Sequence, residues 1–309
     1  MADPNHSTGH HVGLSLRLLF LILIPLLIAF FLATQLGDLD PVPFPGDFDS
    51  SEISGVETEL RVVLGKTERV GDGDGLLPGP EDLAYDEKEW FIYTGCNDRW
   101  IRRFLPPAKA FEDWAYVGGR PLGVAVSPDR TIVVAEAYKG LLKVNNDGKV
   151  NMLTQEAEEQ KFKLTDGIDV SSDSLIYFTD ASHKYNLDEY ALDFLEGRSH
   201  KRLMSYDPLN NQTTVLARDL YFPNGVVVSP NQDSLIFCET LMRRCRRYFF
   251  KGEKKGKIDK FLENLPGYPD NIKYDGEGQY WIGLSAVVLS AFTQRIIAKL
   301  KGAMSLPSV

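Results

Sequence analysis

"GRPLGVAVSPDRTIVVAE" (residues 119–136) and "YFPNGVVVSPNQDSLIFCE" (residues 221–239) carry one pattern twice. Each opens on a turn-forming stretch and enters a short strand of alternating residues. A cluster of Pro, Asp, Asn and Ser then reverses the chain, and an apolar strand follows. The same pattern recurs in "GPEDLAYDEKEWFIYTG" (79–95), "KLTDGIDVSSDSLIYFTD" (163–180) and "GYPDNIKYDGEGQYWIGLS" (267–285). With Leu83, Val124, Ile168, Val226 and Ile272 as register marks, the repeats are 41, 44, 58 and 46 residues apart. Roughly 40–50 residues is the length of a four-stranded propeller blade. The long spacing holds "SHKYNLDEYALDFLEGRSH" (182–200), a polar, partly helical insertion. The expected fold is therefore all-β: a β-propeller over residues 58–284, its blades radiating from a central channel.

Composition narrows the function. A formal net charge of −9 disfavours nucleic acid as a partner, since phosphate binding needs a basic face. Three cysteines, Cys96, Cys238 and Cys245, give neither a zinc spacing nor a disulfide framework; one Cys238–Cys245 bridge and unpaired thiols both stay open. Residues 18–36, "LLFLILIPLLIAFFLATQL", are uncharged and long enough to span a bilayer as an anchor, with a secretory signal as the rival reading. Arg17 before the span places residues 1–17 in the cytosol and the bulk of the chain in the lumen of the endomembrane system, endoplasmic reticulum or vacuole. Residues 37–57 read as a linker, residues 285–309 as a divergent tail, and Asn211 in "NQT" as a glycosylation acceptor.

Two residues before each register mark stand Glu81, Leu122, Asp166, Asn224 and Asp270. In a propeller the starts of the innermost strands face the axis, so equivalent positions converge on one point. Four of the five bear oxygen, which suits a hard cation such as Ca²⁺. Asn271 adds a further oxygen beside Asp270. Taken singly, each Asp or Asn here reads more simply as a turn former, but Glu81 is a poor one, and four oxygen-bearing residues of five at one register favour a metal site.

"GRPLG", "YFTDAS", "FPNGV" and "LPGYPDNI" resemble the strictosidine synthase-like family of plants, related to adipocyte plasma membrane-associated protein and to the paraoxonase and gluconolactonase propellers. The resemblance implies six blades. It also implies a single channel Ca²⁺ held by Glu81, Asp166, Asn224, Asp270 and Asn271. Two departures follow. Leu122 stands where paraoxonases carry a histidine implicated in ester hydrolysis, and the blade that bears the strictosidine synthases' catalytic glutamate is not recognisable, so the ring is expected to be cut short before its last blade. A Ca²⁺-dependent hydrolase of small esters or lactones is the leading expectation. A non-catalytic propeller that binds a small molecule or a protein around a structural Ca²⁺ is the second, and Pictet–Spengler condensation the last. Asp270 and His183 are the available proton-transfer groups; for His183 an exposed loop histidine is the simpler expectation. Asp180 either joins the ion or ends its strand, and "GDGDG" (71–75) reads as a flexible turn.

Overall fold

A computed structural model describes residues 20–27, 39–42, 70–71 and 75–287. Residues 20–27 are helical and belong to a unit separate from the one that begins at Pro41. Among the described residues no helix is long and apolar enough to cross a membrane; most of the 18–36 span lies outside them. The linker at 43–57 and all but the first residues of the tail also lie outside, as do residues 72–74 of "GDGDG".

The second unit is a series of antiparallel meanders in chain order. β1 (Leu83–Asp86), β2 (Phe91–Gly95), β3 (Trp100–Leu105) and β4 (Ala110–Tyr116) form the first sheet. β5 (Pro121–Val126), β6 (Ile132–Glu136), β7 (Gly140–Val144) and β8 (Val150–Thr154) form the second. A small hairpin follows, β9 (Glu156–Ala157) with β10 (Gln160–Lys161). β11 (Leu164–Val170), β12 (Ile176–Ser182), β13 (Lys201–Asp207) and β14 (Gln212–Leu220) make the third sheet. β15 (Pro223–Val228), β16 (Ser234–Glu239), β17 (Arg244–Phe249) and β18 (Ile258–Leu262) make the fourth. β19 (Gly267–Tyr274) pairs with β20 (Tyr280–Val287), which carries the last strand slightly past the expected boundary at residue 284.

The alternation in the sequence has a specific meaning here. Ile132 and Val134 pack towards the first sheet, with Tyr93 and Ile101. Their neighbours Val133 and Ala135 pack towards the third, with Ile168 and Phe178. Successive side chains point to opposite faces of a strand, and each inner sheet lies between two others, so both phases are apolar. The same division recurs where Val226 and Phe237 meet the third sheet while Val227 and Ile236 meet Ile272 of the last.

The hairpin turns also repeat. Arg130, Ser174 and Gln232 adopt left-handed φ of 67°, 67° and 55° at one turn position. Their N–H groups donate to the carbonyls of Ser127, Ser171 and Ser229, at 2.7, 2.9 and 2.9 Å. A type I turn followed by a left-handed residue is a standard way to close such a hairpin. Cys238 and Cys245 are opposite partners on β16 and β17 and form a disulfide, which resolves the open pairing; Cys96 is a buried free thiol.

The insertion between β12 and β13 is partly helical, as expected, with a turn at Leu187–Glu189 leading into a helix at Tyr190–Glu196. Asn186 and Glu189 form a reciprocal capping box at its start. The start of β11 pairs with the end of β12. The insertion therefore lies at the same end of the sheets as the first residues of the innermost strands.

Candidate metal centre

The innermost strands β1, β5, β11, β15 and β19 crowd about a common channel. A Cβ on Gly225 would come within 2.5 Å of the Asp270 carbonyl oxygen, and one on Gly167 would collide with the Asn224 carbonyl. These glycines directly follow Asn224 and Asp166, so the close approach of backbones brings the expected ligand positions together. Side chains reinforce it. The Thr179 hydroxyl donates to the Asn224 carbonyl at 2.9 Å, and the Thr240 hydroxyl to the Pro269 carbonyl at 2.7 Å.

Glu81, Asp166, Asn224, Asp270 and Asn271 meet there. Asn271 Nδ2 donates to Glu81 Oε1 at 2.8 Å and to the Glu81 carbonyl at 3.0 Å. That leaves its Oδ1 as an acceptor. Asn224 and Ser285 lie beside Asp270 and favour its ionised form. Burial, then Asp82 and Asp270, push Glu81 up to about 8. Burial raises Asp166 well above the usual carboxylate range, with Glu81 and Asp270 adding to it. Burial also raises Asp270. Like charges raise one another only at short range, as expected for carboxyls that lie together.

Three oxygens at this point are orphans: Glu81 Oε2, Asp166 Oδ1 and Asn224 Oδ1 are buried and accept no hydrogen bond. An unsatisfied buried acceptor costs on the order of 1–3 kcal/mol, more when charged. Asp82, Asp169 and Lys273 border the set, and Lys273 Nζ donates to Asp82 Oδ2 at 2.8 Å. Burial pulls Lys273 down, but Asp82 and Asp169 outweigh it and hold it above its ordinary value. Five carboxylates thus face two cations, Lys273 and Arg120. The excess of negative charge and the orphaned oxygens both fit a hard divalent ion. Among the described residues no three His, Cys, Asp or Glu side chains are grouped so as to hold a metal ion by themselves. The set that could hold such an ion is mixed, carboxylates with the amides of Asn224 and Asn271.

The fifth register position contributes nothing polar. Leu122 is buried against Leu164, Phe222 and Leu241. Asp180 does not join the channel. It is fully buried on Arg202, 2.7 Å away, and burial pushes it up to about 7 despite that partner. His183 is not the exposed loop residue expected from the sequence. It is half-buried with its ring 4.7 Å from that of His200, and its Nδ1 is enclosed without a partner. Burial, helped by His200 and Arg202, lowers it to about 4, so it is neutral at pH 7. Beneath it Ser182 Oγ donates to Asp193 Oδ2 at 2.6 Å, and Lys201 Nζ lies 2.5 Å from Asp193 Oδ1. This buried network ties the insertion helix to β12 and β13. Asn211 sits exposed in the β13–β14 turn, its Oδ1 accepting from the Tyr206 hydroxyl at 2.9 Å.

Sequence reasoning missed Asp82, Asp169, Lys273 and Arg120. For Lys273 a signal existed, a cation inside the otherwise alternating "NIKY" of a buried strand. For Asp169 and Asp82 there was none, because they lie off the ligand register.

Comparison with known proteins agrees with this architecture. The strictosidine synthase family model matches residues 166–253. Protein STRICTOSIDINE SYNTHASE-LIKE 6 of Arabidopsis thaliana is 46% identical over 285 residues, covering 90% of this chain and 75% of that protein. Human adipocyte plasma membrane-associated protein is 35% identical over 297 residues, covering 89% of this chain and 69% of its own. Among solved structures, a gluconolactonase from Xanthomonas campestris superposes with a TM-score of 0.57 at 17% identity, covering 67% of this chain and 70% of that one. A luciferin-regenerating enzyme superposes at 0.55 with 13% identity, covering 67% and 69%. These two likenesses speak for the fold alone, whereas the identity and coverage of the sequence relatives place this chain in the strictosidine synthase-like family.

Proposed function

We propose that the chain carries blades of a six-bladed, Ca²⁺-dependent propeller that hydrolyses small esters or lactones at its channel mouth. The observation that carries this reading is the convergence of three orphaned, buried oxygens from three separate sheets, on Glu81, Asp166 and Asn224. Glu81, Asp166, Asn224, Asp270 and Asn271 would hold the ion. Bound there, Ca²⁺ supplies a Lewis acid that polarises a carbonyl oxygen. The chain's own part is to hold the donors in place. Asn271 clamps Glu81, and Lys273 takes up the charge of Asp82 so that it does not compete for the ion. Asp270 is one of two groups available to accept a proton from an attacking water. His183 is the other candidate base, neutral and at the same end of the sheets.

The test is hydrolysis of phenyl acetate and of a small lactone, each with Ca²⁺ and with chelator. Hydrolysis that survives chelation, or no hydrolysis with Ca²⁺ bound, counts against the reading. The apolar seat of Leu122 favours a second one, in which the propeller binds a small molecule or protein non-catalytically around a structural ion. Bound Ca²⁺ without turnover would support that alternative over the first. We further propose that residues 18–36 anchor the propeller on the lumenal side of an endomembrane, with Asn211 glycosylated. Protease protection in sealed microsomes tests the orientation, and a mobility shift on deglycosylation tests Asn211.

A further inference from the structure

At the end of the sheets where the innermost strands begin lies a cleft of about 630 Å³, within the size range of small-molecule sites. Four connections build it. The β2–β3 turn brings Asn97 and Arg99, the link into β5 brings Arg120, the β6–β7 turn brings Tyr138 and Lys139, and the insertion brings Asp188. In a chain of net charge −9, its lining holds three cations and one carboxylate. That carboxylate is engaged, since the Tyr138 hydroxyl donates to Asp188 Oδ2 at 3.1 Å.

The nearby acids are held mainly by other groups. Asp98, next to Arg99, is taken by both guanidinium nitrogens of Arg102, at 2.7 and 2.8 Å. Glu136 accepts the backbone N–H groups of Tyr138 and Lys139, at 3.2 and 2.6 Å, and so lies beneath the loop. Lys139 Nζ donates to the Val117 carbonyl at 2.6 Å, which fixes the ammonium, with the buried Glu136 as its acidic neighbour. Arg120 Nη1 is buried without a hydrogen-bond partner. Its guanidinium also feels Glu81 and Asp166, so it stands between the cleft and the channel.

We propose that this cleft is a binding site for the oxyanion of a small ligand, a carboxylate or a phosphate, held by Arg99, Arg120 and Lys139. Planar guanidinium groups and an ammonium facing one cavity match such groups in charge and geometry. The ligand's uncharged part would extend towards the channel, past Arg120. The site stands whether or not the channel performs hydrolysis.

The test is calorimetric binding of benzoate, of phenyl phosphate and of benzamide, the neutral counterpart of benzoate, to the full chain with Ca²⁺ present. At least one anion should bind about tenfold or more tightly than benzamide, and added salt should weaken it. The two anionic arms tell a carboxylate site from a phosphate site. Arg99→Gln with Lys139→Gln should bring the anion down to the level of benzamide while leaving the Ca²⁺-dependent rise in melting temperature intact. That second readout separates failure of this site from failure of the channel. If the double variant does not fold, Arg99→Gln alone, at an exposed side chain, should still weaken the anion severalfold. Equal binding of benzoate, phenyl phosphate and benzamide, absence of anion binding up to about 10 mM, or an undiminished anion preference in the variants would overturn the proposal.

Discussion

Removing Ca²⁺ while raising the pH should load the channel with charge it cannot tolerate. In the metal-free protein Glu81 titrates at about 8, against 4.5 for an ordinary glutamate, chiefly because of burial and then because of Asp82 and Asp270. A raised folded-state value means that the folded protein holds the proton more tightly than the unfolded chain. Its contribution to stability is therefore complete below about 4.5 and is lost as the pH rises through about 8. The displacement corresponds to a loss on the order of 5 kcal/mol across that window. For a domain of this size, each kcal/mol moves the melting temperature by about 2–4 °C. Metal-free protein should thus melt on the order of 10 °C lower at high pH than at low pH. Bound Ca²⁺ replaces the proton as the counter-charge, so the gap between Ca²⁺ and chelator should widen over the same range. Scanning calorimetry in matched buffers on either side of the window measures both. Glu81→Gln should reduce the pH dependence of the metal-free melt, leaving the share due to Asp166 and Asp270, and lose most of the Ca²⁺ response. If metal-free wild type melts at one temperature throughout and Ca²⁺ adds nothing at any pH, the channel site is not what the orphaned oxygens indicate.

Asp270→Ala should also abolish most of the Ca²⁺-dependent rise in melting temperature, whereas loss of a mere turn former would leave that rise unchanged; paired melts with Ca²⁺ and chelator decide. Asp180→Ala strands the buried Arg202 guanidinium and should cost about 3–5 kcal/mol in urea unfolding, with the Ca²⁺ response intact, because Asp180 is paired away from the channel. Gly167→Ala forces a methyl group against the Asn224 carbonyl and should destabilise by about 1–3 kcal/mol or more while weakening Ca²⁺ in equilibrium dialysis, since the ligands ride on the strands it would push apart. Cys238→Ser opens a bridge between residues 7 apart in sequence and should lower stability by about 2–3 kcal/mol, measured against wild type under non-reducing conditions.

Much of the protein was legible before any tertiary structure. The repeat and its strict register follow from local rules: period-2 alternation sets the strands, and Pro, Asp, Asn and Ser set the turns. Such rules act between near neighbours in sequence, so a linear reading recovers them. Register then carried the inference to Glu81, Asp166, Asn224 and Asp270, because equivalent positions in stacked repeats share one direction. What register does not encode is which side chains meet across the axis or between loops. Lys273 reaches Asp82 from nearly the far end of the chain, and Arg120 is drawn to the channel by a link between sheets. Asp180 and His183 lie close together in sequence, yet Arg202 claims the first and His200 packs on the second. Those outcomes depend on burial and on charges brought together by packing, which only the tertiary structure decides.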